Sequence, residues 1–196
     1  MKQYHMQENY IHRDSVEHFD DTSFKDEWQK EVYEYAKNVA IAHNYSVILD
    51  YGCGSGYKLI TNFENFRTIG IDLQPTVDFL KATYPDKQWD TDYKIHQDVD
   101  LFIASDVIEH LIDPDVLLEY IKQCNPKEII LSTPDRNLAN INWSYNENGP
   151  TTNAAHAREW NFQEFESYIS EHFDIISHII TNNSQCTQMI HCKIKE

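Results

Sequence analysis

Two groups of residues in the 196-residue chain have types and spacings suited to chemistry. The first is Asp50-Tyr51-Gly52-Cys53-Gly54-Ser55-Gly56, followed at the end of the next apolar run by Gly70-Ile71-Asp72-Leu73. A glycine-rich turn between a buried strand and a helix lets a ligand approach the backbone and lie against helix N–H groups. An acidic side chain ending the second strand sits beside that turn and can accept hydrogen bonds from both hydroxyls of a ribose. Tyr57 stands where a dinucleotide fingerprint requires Gly or Ala, and Lys58-Leu59 is not the Lys-Ser/Thr pair of a phosphate-binding loop. A nucleoside therefore fits the pattern better than a pyrophosphate. The second group is Asp106-x-x-Glu109-His110. Residues three and four apart share one face of a helical turn, which allows two carboxylates and an imidazole to converge.

The elements that must position these groups follow from the hydrophobic pattern. Four short β-branched runs without polar alternation, Ser46–Asp50, Thr68–Asp72, Asp100–Ser105 and Glu128–Ser132, read as parallel strands buried on both faces. Between them, Tyr57–Glu64, Pro75–Tyr84 and Asp113–Cys124 are long enough for crossover helices. Spacings of three and four among Trp28, Val32, Tyr35, Ala36 and Val39 predict an amphipathic helix from Asp26 to about His43, and a further helix is expected at Phe162–Glu171. Phe173–Ile180 and Thr187–Ile194 flank a polar turn and read as an antiparallel hairpin. The fold class is α/β, a doubly wound and mostly parallel sheet. After Pro134 the residues to Asn161 show no clear period and are expected to form a long loop.

Composition narrows the partners. Asp and Glu number 32 against 16 Lys and Arg, a formal charge of −16. Binders of nucleic acid neutralise phosphates with Lys and Arg, so this balance disfavours nucleic acid and anionic membrane surfaces alike. The length fits one domain, and 41% hydrophobic residues suffice for a core. No apolar run approaches the roughly 20 residues of a membrane span, and the first residues do not read as a signal peptide, so a cytoplasmic protein is expected. Cys53, Cys124, Cys186 and Cys192 form no CxxC pair, which favours reduced thiols over a zinc site. The polar, acidic stretch 1–25 is expected to be an arm or cap on a domain spanning 26–196.

LDYGCGSG, the GID that follows, and Ala104-Ser105-Asp106-Val107-Ile108-Glu109-His110-Leu111 together resemble the motif series of the class I S-adenosylmethionine-dependent methyltransferases. The likeness covers about residues 28–194 and is greatest to the small single-domain branch carrying a DVIEHL segment. It implies a Rossmann-like, seven-stranded sheet whose last two strands are antiparallel. It further implies that Asp50 and the turn residues Gly52, Cys53, Gly54 and Gly56 contact the methionine portion of the cofactor, that Asp72 holds the ribose, and that Leu73 packs on adenine. Asp92, with Asp90 as the alternative, is the expected adenine-edge residue, while Ser105 and Asp106 close the site around the sulfonium.

In some relatives an acidic-x-x-Glu-His segment and a later histidine, here His156, bind a divalent cation that polarises a hydroxyl. Others carry the Glu-His pair without metal, and this chain has Asp106 where the metal-binding version has Glu. The metal-free version, which is the expectation here, uses His156 or His110 as general base beside Glu109. The loop at about 134–160 should overhang the acceptor. In it Trp143, Tyr145, His156, Arg158 and Trp160 offer a platform for a sugar ring. Arg136 and Arg158 are either anchors for an anionic acceptor or salt-bridge partners of Asp135 and Glu159. WQKEVYEYA and HAREWNFQEFESY resemble relatives associated with polysaccharide biosynthesis. The implied function is methyl transfer to a small-molecule acceptor, at oxygen, on a sugar or nucleotide-linked sugar. The alternatives are N-methylation of a small amine or protein side chain, or a cofactor-binding module without catalysis.

Overall fold

The computed structural model describes residues 2–17, 22, 28–92, 94–143 and 146–195. The elements run α1 (Lys30–Ala42), β1 (Val47–Tyr51), α2 (Tyr57–Asn62), β2 (Arg67–Ile71), α3 (Gln74–Thr83), β3 (Gln88–Asp90), β4 (Leu101–Ser105), α4 (Asp115–Cys124), β5 (Glu128–Pro134), α5 (Arg136–Asn142), α6 (Phe162–His172), β6 (Phe173–Asn182) and β7 (Thr187–Ile194). A 3₁₀ turn, Ile108–His110, follows β4.

The described residues form one seven-stranded sheet in the order β3-β2-β1-β4-β5-β7-β6. β3, β2, β1, β4 and β5 pair in parallel, and β7 pairs antiparallel with both β5 and β6. Successive strand residues face opposite sides. Ile48 thus enters a core with Val32, Ala36, Leu59 and Trp89, and Leu49 enters the opposite core with Leu118, Trp160 and Tyr168. Every residue of β4 and β5 is buried, the condition that the unalternated apolar runs predicted. Strand order reverses between β1 and β4, so a crevice opens beyond their carboxyl ends. No helix among the described residues is long and apolar enough to cross a membrane.

Three local expectations change. The predicted helix start, Asp26, lies outside the described residues, and α1 begins only at Lys30 because Gln29 adopts a left-handed backbone (φ 59°) that leaves Trp28 before the helix. The stretch after Pro134 is not all loop. Asp135 caps α5 by accepting from Leu138 N at 2.9 Å, and this cap organises an Asn-rich helix that has no apolar period. The N-terminal segment also enters the core, with Met6 and Tyr10 buried and Tyr4 O accepting from Trp160 Nε1 at 2.8 Å.

That segment stitches the chain after α5. Arg13 donates from its guanidinium to the carbonyls of Thr151, Asn153 and His156, and Glu17 N donates to Ala154 O at 3.1 Å.

At the far edge, His178 of β6 stacks on Phe162 with ring centroids 3.5 Å apart, and its Nε2 meets Gln188 Oε1 at 3.2 Å. Burial pushes its pKa down to about 4. The unfolded chain binds this proton near the ordinary value of about 6.5, so stability is full above that pH and is lost as pH falls towards 4. Allowing for the ring's partial exposure, the loss should be about 2 kcal/mol. Urea unfolding at pH 7 and pH 4.5 checks it, with His178→Phe flattening the difference.

Candidate functional site

The glycine turn between β1 and α2 is stapled to the end of β2. Gly52 N and Cys53 N both donate to Ile71 O, at 2.8 and 3.1 Å, and Gly54 N donates to Asp72 Oδ2 at 2.8 Å. Asp72 Oδ1 accepts from Leu73 N at 2.8 Å, so this carboxylate orders the turn as well as facing the crevice. Gly52 has φ 76°, and a Cβ there would lie 2.4 Å from Val107 Cγ2. Gly56 serves a different need. A Cβ on it would stand 2.7 Å from the Trp89 ring, so it admits the core indole rather than a ligand.

Two adjoining cavities open at the crevice. One of about 370 Å³ is lined by Gly54, Asp72, Leu73 and Asp92, with Val16 and Glu17 of the N-terminal segment across from them. The other, about 410 Å³, is lined by Cys53, Ser105, Glu109 and His156, by Gln29, Tyr33 and Lys58, and at its mouth by Trp28 and Trp143. Gly52, Asp106 and His110 border both.

Most residues expected at the cofactor therefore reach a cavity wall, but two do not. Asp50 is fully buried and accepts from Tyr33 OH at 3.0 and 3.2 Å, and Gly56 faces Trp89. Of the two carboxylates considered for the adenine edge, Asp92 lines the first cavity and accepts from Tyr51 OH at 3.2 Å. Asp90 instead meets Lys94 Nζ at 3.1 Å and His96 Nε2 at 3.3 Å.

Between the cavities, Asp106 adopts φ 52° and accepts from Gln29 Nε2 (2.7 Å) and Ser132 Oγ (3.2 Å). Burial raises its pKa. Glu109 is fully buried; Oε2 accepts from Thr133 Oγ1 at 3.0 Å, and Oε1 has no hydrogen-bond partner among the described residues. Burial first, and then the nearby Asp106 charge, lift its pKa well above the carboxylate range.

The two histidines share a tautomer and differ in what occupies Nε2. His110 Nδ1 lies 2.9 Å from Ala155 O, a pure acceptor, so Nδ1 carries the proton and Nε2 is the basic nitrogen. His156 Nδ1 meets Glu159 Oε1 at 2.6 Å. Asn153 Oδ1 accepts from Ala155 N, which turns its Nδ2 towards His156 Nε2 at 2.9 Å and occupies that lone pair. The rings stand edge to face, 4.9 Å apart.

Glu109, His110 and His156 each present one ligand atom, all within 4.8 Å of one another. Oxygen and imidazole donors suit a divalent cation, and the partnerless Glu109 Oε1 fits such a role. Binding there would require Glu109 to ionise and His156 to release Asn153.

The arginines are not acceptor anchors. Arg136 is buried and grips Glu164 with both Nη atoms, at 2.7 and 2.8 Å, rather than Asp135. Arg158 donates to the carbonyls of Leu111 and Ile112 and covers the Tyr4 ring at 4.6 Å. Trp160 is also withdrawn, stacked on Tyr168 at 5.4 Å in the core. Tyr145 lies outside the described residues, which leaves Trp143 and His156 of the expected platform at the cavity. Val16, Glu17 and Asn153 carried no sequence signal, and Lys58 offered only its charge at the second position of α2.

The profile of the methyltransferase domain family matches residues 25–179. The chain belongs to this family. It falls in the class I superfamily, and its cofactor is S-adenosylmethionine. The residues present fit that group: a carboxylate-bearing cavity of nucleoside size runs from the glycine turn into a second space next to Asp106.

Solved structures agree in fold. The small RNA methyltransferase HEN1 has a TM-score of 0.64 at 20% identity over 93% of this chain, which spans 27% of that protein's length. The methyltransferase domain of bacterial CtHen1 gives 0.63 at 18% identity, covering 85% of this chain and 99% of its own. The Burkholderia thailandensis 1,6-didemethyltoxoflavin-N1-methyltransferase, solved with that compound and S-adenosylhomocysteine, gives 0.62 at 15% identity over 88% of this chain and 82% of its own. No curated protein matches the chain in sequence.

Proposed function

We propose that this methyltransferase acts on a hydroxyl oxygen of a small polar acceptor, a sugar or nucleotide-linked sugar, held in the second cavity. The observation that carries this reading is the convergence of Glu109, His110 and His156 on a space bordering the cofactor cavity. S-adenosylmethionine supplies an electrophilic methyl group on a sulfonium. The protein's part is alignment, charge and removal of one proton. Asp72 and Asp92 hold the adenosine end, and Asp106 sets negative charge towards the sulfonium. His110 takes the hydroxyl proton at Nε2. Trp28 and Trp143, each 43% exposed and 6.1 Å apart edge to face, offer apolar faces to a ring at the mouth. The charge of −16 favours such an acceptor over RNA.

In this reading residues 26–196 are the methyltransferase domain and 1–25 its cap. A second mode of hydroxyl activation is favoured by the ligand atoms gathered within 4.8 Å, in which a divalent cation on Glu109, His110 and His156 polarises the hydroxyl.

The test incubates the protein with S-adenosylmethionine and a panel of free sugars, nucleotide sugars, small amines and short RNA, with and without a chelator, and reads methylated product by mass spectrometry. A methyl ether on a sugar is the expected product. Exclusive methylation of amines or RNA sinks the proposal. Turnover that survives the chelator assigns proton removal to His110 alone, and turnover that stops assigns the cation.

A further inference from the structure

The walls of the two cavities carry the carboxylates of Glu17, Asp72, Asp92, Asp106 and Glu109. Among the described residues, Lys58 is the single lysine or arginine that lines either space. The cofactor's amino-acid end brings one more carboxylate into this surrounding. It needs a donor or a cation, since an ionised carboxylate left without either in a crevice is strongly disfavoured.

Four N–H groups of the glycine turn are already engaged within the protein. The N–H groups of Gly52 and Cys53 go to Ile71 O, that of Gly54 goes to Asp72, and that of Gly56 goes to Cys53 O at 2.9 Å. The anion-binding capacity that such a turn ordinarily offers at a helix start is thus largely consumed within the protein.

Lys58 stands beside the same turn and is braced. Its Nζ lies 5.9 Å from the centroid of the Tyr33 ring, within cation–π range. Tyr33 is held in turn by its hydroxyl, which donates to both oxygens of the fully buried Asp50. We propose that Lys58, backed by Tyr33, binds the carboxylate of the cofactor's amino-acid end, and that Asp50 contributes to that subsite by fixing Tyr33 rather than by touching the ligand. The same arrangement separates charges along the ligand, with Lys58 at the carboxylate and Asp106 nearer the ammonium and sulfonium. This inference rests on S-adenosylmethionine as the cofactor and assigns the residue that recognises one of its groups.

Calorimetric titration of S-adenosylhomocysteine and its decarboxylated analogue, which keeps the amine, into wild type and Lys58→Met provides the test. Wild type should prefer the carboxylate-bearing ligand by about tenfold or more, the worth of a charge-assisted hydrogen bond. Lys58→Met should bind the two alike, with its affinity for the decarboxylated analogue unchanged, and Lys58→Arg should restore the preference. Retention of the full preference in Lys58→Met, or an equal loss for both ligands, overturns the proposal while leaving the cofactor intact. Failure of wild type to bind S-adenosylhomocysteine at all overturns the cofactor along with it.

Discussion

Replacing His110 by glutamine is expected to lower kcat by a factor of about 10² to 10⁴, the usual contribution of a positioned proton acceptor. S-adenosylhomocysteine should still bind, because the adenosine-facing carboxylates Asp72 and Asp92 are untouched. Glutamine retains a side-chain amide that can donate to Ala155 O, so the segment carrying His156 keeps one of its supports. The loss follows from the tautomer: with Nδ1 donating to Ala155 O, the proton acceptor is Nε2, and the amide that replaces it has no comparable basicity. His156→Gln should cost less under proton abstraction, since Asn153 already occupies Nε2 of that ring. Single-turnover rates across pH 6 to 9 check the assignment. Equal loss in the two variants, together with sensitivity to chelator, would instead fit a shared cation.

The largest effect on stability is expected at Arg136. Its guanidinium grips Glu164 with two parallel bonds, donates to Glu159 O at 2.9 Å, and lies over the Tyr10 ring at 4.9 Å. Glu164 meanwhile accepts from Gln7 N and Asn161 N, each at 3.0 Å, so one carboxylate joins the N-terminal segment, the start of α6 and α5. Arg136→Met leaves that buried carboxylate without its cation and should cost about 3–5 kcal/mol. Against a total of about 5–15 kcal/mol for an ordinary domain, that is a large fraction. Urea denaturation measures it. The double variant Arg136→Met/Glu164→Leu should be destabilised by much less than the two single losses added together, because neither charge then remains buried alone.

The parallel core was legible because burial on both faces forces unalternated apolar runs, and Val47–Tyr51, Leu101–Ser105 and Glu128–Pro134 carry them. The glycine turn and Asp72 were legible as a pair, since strand ends fix where both must lie. Other features depend on partners distant in sequence. α5 rests on one Asp135 cap rather than on periodicity. Asp50 sits at the motif position but turns to Tyr33, 17 residues earlier. Arg136 and Arg158 had acidic neighbours in the chain, yet Arg136 chose Glu164, 28 residues away, and Arg158 chose backbone carbonyls and aromatic rings. Spacing predicted that Asp106, Glu109 and His110 converge, but the Nε2 partner that distinguishes His156 from His110 is Asn153, which only the folded loop brings near.

The N-terminal stitch has a thermodynamic consequence. Arg13 binds the carbonyls of the segment carrying His156, and a few residues later Val16 and Glu17 form a wall of the adenosine-facing cavity. Order in that thread is therefore common to both subsites, and filling one reduces the entropy still to be lost at the other. The polar stretch outside the motif series acts as a coupling element: cleavage or displacement of residues 11–17 would weaken cofactor retention and acceptor alignment together, even with every motif residue in place.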